Sequence, residues 1–149
     1  MAPTFGTERR GAPVFTSLKI SREKIYDLSP IETPDMVVVL DHTLLDEVDV
    51  THGLKDGGKI ILNTPKPVDT YDFGNHTLSV ADVTAYALEA GLAPGIVNTG
   101  IIGAFAKATG LVSRELLREA ISNEFPTMKP EENARAAAIT YDRTVIGGA

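Results

Sequence analysis

Two adjacent arginines, Arg9 and Arg10, are the side chains of this sequence best suited to hold a charged ligand. Guanidinium groups donate paired hydrogen bonds to phosphate or carboxylate, and this pair lies in a loop bounded by Gly6 and Gly11. The same pair also suits an ion pair within the chain or between subunits, with Glu8 as a neighbouring carboxylate. Because short motifs often have structural roles, the ion-pair interpretation is favoured over the ligand interpretation.

A second polar pair, Asn98 and Thr99, interrupts an otherwise apolar helical stretch. These side chains are candidates for ligand contact, but Asn and Thr also cap helices or bond to nearby backbone. The structural interpretation is favoured, since buried polar groups must find partners. Asn63 and Thr64 end a predicted parallel strand, which is where α/β sheets place ligands.

The remaining reactive side chains show no catalytic or metal-binding arrangement. The three histidines lack the spacing of metal ligands, and Asp41-His42 is more typical of a solvent-facing strand end than of an acid–base pair. The serines lack the elbow motif of hydrolases. Cysteine is absent from the 149 residues, so thiolate-bound zinc, a Cys-ligated cluster and a catalytic thiol are excluded within this sequence.

The composition is that of a soluble globular protein. Hydrophobic residues make up 43% and charged residues 23%, which is enough to form a core. The net charge of −6 argues against nucleic-acid binding. No apolar stretch approaches the roughly 20 residues of a membrane span, and no signal-peptide core is visible. A cytoplasmic location without membrane contact is expected.

Hydrophobic periodicity and capping residues predict an α/β fold. The expected strands are residues 12–20, 24–28, 35–41, 59–63 and 77–80. The expected helices are residues 44–54 with Thr43 as N-cap, 82–90 closed by Gly91, 95–109, 113–123 and a last one opened by Pro130. Residues 35–63 have the order and short connections of a strand–helix–strand crossover. The predicted architecture is a Rossmann-like, mostly parallel sheet flanked by helices.

The expected domain is one unit, residues 1–149, that lacks a first strand–helix unit at its N-terminus. Parallel α/β domains usually begin with a strand, a glycine-rich turn and a helix, and this sequence begins in a loop without such a turn. Such a domain would expose a strand edge and an apolar sheet face, which favours self-association or a partner.

Four segments carry a resemblance to a known family. Residues 5–14, F-G-T-E-R-R-G-A-P-V, closely resemble a segment of the gamma subunits of pyruvate and related 2-oxoacid:ferredoxin oxidoreductases. In the same order, the sequences P-D-M-V-V-V-L-D, L-K-D-G-G-K-I-I-L-N-T and N-T-G-I-I-G-A-F-A-K-A-T-G are similar to that family's motifs at residues 34–41, 54–64 and 98–110. Family members normally open with a strand and a G-x-G-G-Q-G turn, which is not present here.

The resemblance implies an accessory subunit of an enzyme that oxidatively decarboxylates a 2-oxoacid to an acyl-coenzyme A and passes electrons to ferredoxin. It implies thiamine diphosphate, Mg²⁺ and [4Fe–4S] clusters on the alpha, beta and delta partner subunits, and no cofactor in this chain. Coenzyme A is the co-substrate, and Arg9, Arg10, Asn98 and Thr99 are then the candidates to contact it or a partner. No residue is expected to be catalytic, and a homo- or hetero-oligomer is expected.

Two other functions remain open from the sequence. The chain would also fit a stand-alone nucleotide- or coenzyme-A-binding module, or a purely structural subunit whose apolar helix mediates assembly. Copurification with partner chains separates the oxidoreductase subunit from both.

Overall fold

The computed structural model describes residues 2–3 and 11–147. Its main sheet has four strands in the order β3-β4-β5-β6: β3 is Met36–Val39, β4 Lys59–Asn63, β5 Thr77–Ala81 and β6 Val145–Gly147. The first three are parallel and β6 is antiparallel. A separate two-residue ladder joins β1 (Ala2–Pro3) to β2 (Thr16–Ser17). The predicted mostly parallel α/β sheet is therefore confirmed.

Four α-helices follow the parallel strands: α1 (Val83–Glu89), α2 (Asn98–Thr109), α3 (Arg114–Glu124) and α4 (Pro130–Arg143). Two of these helices begin at side-chain N-caps. The Asp82 side chain accepts a hydrogen bond from the backbone N–H of Ala85, and the Ser113 side chain accepts one from the backbone N–H of Leu116. Pro130 stands in the first turn of α4, where its missing N–H costs nothing. Helix α2 begins at residue 98 rather than 95.

The sheet has two differently covered faces. On the helix side, Ile61 and Ala81 pack against α1 and α2. On the other side, the buried residues are covered by the connections that follow β3 and β4. Those connections contain two short 3₁₀ helices, His42–Asp46 and Val68–Thr70. Across the described ranges, no helix is both long and apolar enough to cross a membrane.

Three predicted elements are wrong. Residues 12–20 form a strand only at Thr16–Ser17, and residues 24–28 form none, because alternation supplies a strand pattern but no partner edge. The predicted α-helix 44–54 is a 3₁₀ helix followed by turns. There Asp41, not Thr43, is the N-cap, and the Asp49 carboxylate accepts from both the N–H and the hydroxyl of Thr51, a local bond that competes with the helix.

The backbones of helices α2 and α4 approach each other closely at Gly103. A Cβ placed on Gly103 would overlap the carbonyl oxygen of Ala137 and lie 3.0 Å from the backbone nitrogen of Tyr141. Helix α4 offers small side chains at this crossing, including Ala134, Ala137 and Ala138, all buried. Glycine is therefore required at position 103 for space rather than for backbone conformation.

Gly103→Ala is expected to destabilise the fold. The overlap with α4 should cost about 1–3 kcal/mol, partly offset by the roughly 1 kcal/mol gained in helix propensity. Urea denaturation should show a lower free energy of unfolding. Ile102→Ala, at an exposed position of the same helix, is the control and should change it by only about 0.5 kcal/mol. Equal stability of Gly103→Ala and the parent would contradict the close crossing.

Candidate functional site

The carboxyl ends of β3, β4 and β5 meet at one edge of the sheet, because the three strands are parallel neighbours. Open α/β sheets bind ligands at this edge. The polar residues there are Asp41 and His42 after β3, Asn63 and Thr64 at the end of β4, and Asp82 after β5. Position in the fold alone makes this edge the candidate site. The hydrogen bonds of each side chain then show whether it has a donor or acceptor left for a ligand.

Asn63 joins the ends of all three strands. Its side-chain nitrogen donates to the carbonyl of Leu40 (2.9 Å) and to the hydroxyl of Thr84 (3.0 Å). Its side-chain oxygen accepts from the backbone N–H of Val83 at 2.9 Å and from that of Thr84 at 3.4 Å. Both donors and both acceptor positions of the amide are occupied, and the residue is buried. Asn63 is thus a fixed clamp rather than a free ligand-binding group.

Thr64 is held in a similar way. Its N–H donates to the carbonyl of Ala81 at 3.0 Å. Its hydroxyl lies 2.6 Å from the Tyr71 hydroxyl and accepts from the N–H of Lys66 at 3.1 Å. The Tyr71 ring in turn stacks on Phe73, with ring centroids 6.2 Å apart. Thr64 therefore ties the loop after β4 to the sheet edge.

Asp41 and His42 do not form an acid–base pair. The Asp41 carboxylate accepts from the N–H of Thr43 (2.9 Å) and from its hydroxyl (2.7 Å). These hydrogen bonds lower the pKa of Asp41 below its ordinary value, because they favour the charged form. A general base near neutral pH needs a raised carboxyl pKa. The Nδ1 of His42 is 3.9 Å from the carboxylate, which agrees with the strand-end interpretation.

The structure separates the predicted pair at the start of α2. Thr99 is buried, and its hydroxyl donates to the side-chain oxygen of Asn133 at 2.8 Å. Asn98 is exposed in the first turn, and the preceding residue, Val97, provides no side-chain cap. Backbone N–H groups at such an uncapped start lack intrahelical partners, so Asn98 has access to ligand or solvent and Thr99 does not.

Asn133 is a key polar residue that the sequence analysis did not identify. Its side-chain nitrogen donates to the carbonyls of Met128 (2.8 Å) and Lys129 (3.0 Å), while its oxygen accepts from Thr99. The residue thereby links the turn before α4 to α2. The sequence feature that could have indicated this role is the isolated amide side chain of Asn133 beside the alanine-rich run of α4.

The first predicted pair, Arg9 and Arg10, lies outside the described residues, as does Glu8. Within the described part of the chain, no group of three or more His, Cys, Asp or Glu side chains is placed to hold a metal ion. The described polar groups at the carboxyl edge thus stabilise an α/β domain. The fold and this edge define the class of protein: a Rossmann-like domain. The side chains at its strand ends form hydrogen bonds within the domain.

Comparison with known proteins identifies the family. The family described as pyruvate ferredoxin/flavodoxin oxidoreductase matches residues 1–143, and the chain belongs to it. The gamma subunit common to the pyruvate and ketoisovalerate oxidoreductases of Thermococcus kodakarensis is 47% identical over 148 residues, which cover 97% of this chain and 80% of the relative. Pyruvate synthase subunit PorC of Methanocaldococcus jannaschii is 44% identical over 140 residues, covering 94% and 76%.

A solved structure agrees with this assignment. The crystal structure of the pyruvate oxidoreductase subunit PORC of Thermotoga maritima superposes with a TM-score of 0.66 at 32% sequence identity. The match covers 78% of this chain and 67% of that subunit. The relatives are subunits of oxidoreductase complexes, so the resemblance seen in the sequence is confirmed at the level of family and subunit type.

Replacing Asn63 with alanine should destabilise the protein strongly. The change leaves the buried Val83 N–H without a partner, at about 1–3 kcal/mol, and removes the partly buried hydrogen bond to the Leu40 carbonyl, at about 1 kcal/mol. We expect a loss of about 3 kcal/mol or more in the free energy of unfolding, measured by urea denaturation. Asn98→Ala, an exposed amide, is the control and should stay within about 0.5 kcal/mol of the parent. A similar loss in the free energy of unfolding in both variants would contradict this structural role of Asn63.

Proposed function

We propose that the chain acts as the gamma subunit of a 2-oxoacid:ferredoxin oxidoreductase of the pyruvate type. In this role it supports the oxidative decarboxylation of a 2-oxoacid to an acyl-coenzyme A through assembly and coenzyme A access rather than through chemistry of its own. The observation that carries the proposal is the 47% identity, along almost the whole chain, to a gamma subunit shared by two such enzymes.

The contacts at the carboxyl edge support a non-catalytic role. Asn63 and Thr64 are engaged in hydrogen bonds that hold the fold, and the Asp41 carboxylate is bonded to Thr43. The cofactors of the reaction, thiamine diphosphate with Mg²⁺ and [4Fe–4S] clusters, are then expected on the alpha, beta and delta subunits. The 149 residues contain no cysteine to ligate a cluster. A cytoplasmic location is part of the same proposal.

Coenzyme A access is assigned to two places. Arg9 and Arg10 would contact its phosphates, since guanidinium groups bind phosphate in a paired fashion. Asn98, exposed at the uncapped start of α2, offers an amide beside backbone N–H groups that favour anions. Thr99 would act indirectly, by fixing the start of α2 through Asn133.

Coexpression with candidate alpha, beta and delta chains tests the subunit role. We expect a stable complex with the brown colour of iron–sulfur clusters and with 2-oxoacid-dependent reduction of ferredoxin. Gly103→Ala, which perturbs the helix layer, should lower the yield of complex more than Ile102→Ala. A chain that stays colourless and separate from all three partners would favour a stand-alone module instead.

Calorimetric titration of the intact complex with coenzyme A tests the access role. The double variant Arg9→Ala/Arg10→Ala should bind coenzyme A at least about tenfold more weakly, because each lost phosphate contact removes a charge-assisted hydrogen bond. Asn98→Ala should have a smaller effect in the same direction. Lys107→Ala, at an exposed position near the other end of α2, is the control. Unchanged affinity in the arginine variant would leave these residues an interface role only.

A further inference from the structure

We draw no further inference here: the strongest candidate, the cavity between the 3₁₀ helix Val68–Thr70 and strand β6, has the carboxylates of Asp69 and Asp72 on its wall, and no other feature of the described residues shows what this acidic cluster would hold.

Discussion

The contact between the backbones of α2 and α4 at Gly103 and Ala137 is the constraint on which the helix layer depends. Helix α2 packs on the sheet through Ile101 and Ala104, and α4 packs on the outer side of α2 and, through Ala136, on α1. A side chain at position 103 would hold the two helices apart. The alanine-rich sequence of α4 is the other half of this requirement, since small residues permit helices to approach closely.

The same crossing decides which polar groups are available for function. With α4 this close, Thr99 in the first turn of α2 lies within hydrogen-bond distance of Asn133, and both residues are buried. A buried hydroxyl without a partner would be costly, so this bond is part of the packing. Asn98, one residue earlier, points to solvent. Two neighbouring polar residues of one motif therefore have different roles, and helix packing alone separates them.

The sequence predicted the elements whose signals are local and left open those that depend on distant partners. Asp82, Ser113 and Pro130 mark the starts of α1, α3 and α4, because a cap acts within one turn. Strand β4 was predicted from its unbroken apolar run. The predicted strand at residues 12–20 rested on a partial alternation of apolar residues, and the presence of an edge with which to pair is not a local property. The hydrogen bonds of Asn63 could not be predicted from the sequence either. They join Leu40 to Val83 and Thr84, and these residues come together only through the register of three strands.

The distribution of satisfied and exposed groups is consistent with a subunit that acts through surfaces. At the carboxyl edge, where α/β enzymes place reactive groups, Asn63 and Thr64 have their hydrogen-bonding capacity filled within the chain. Exposed groups outside this edge include apolar side chains between residues 14 and 28 and Asn98 at the uncapped start of α2. A domain built in this way can bind a partner or one end of a ligand without altering its interior. That property suits a gamma subunit shared between two oxidoreductases, as in the Thermococcus relative, because the chemistry can change on other chains while this domain stays the same.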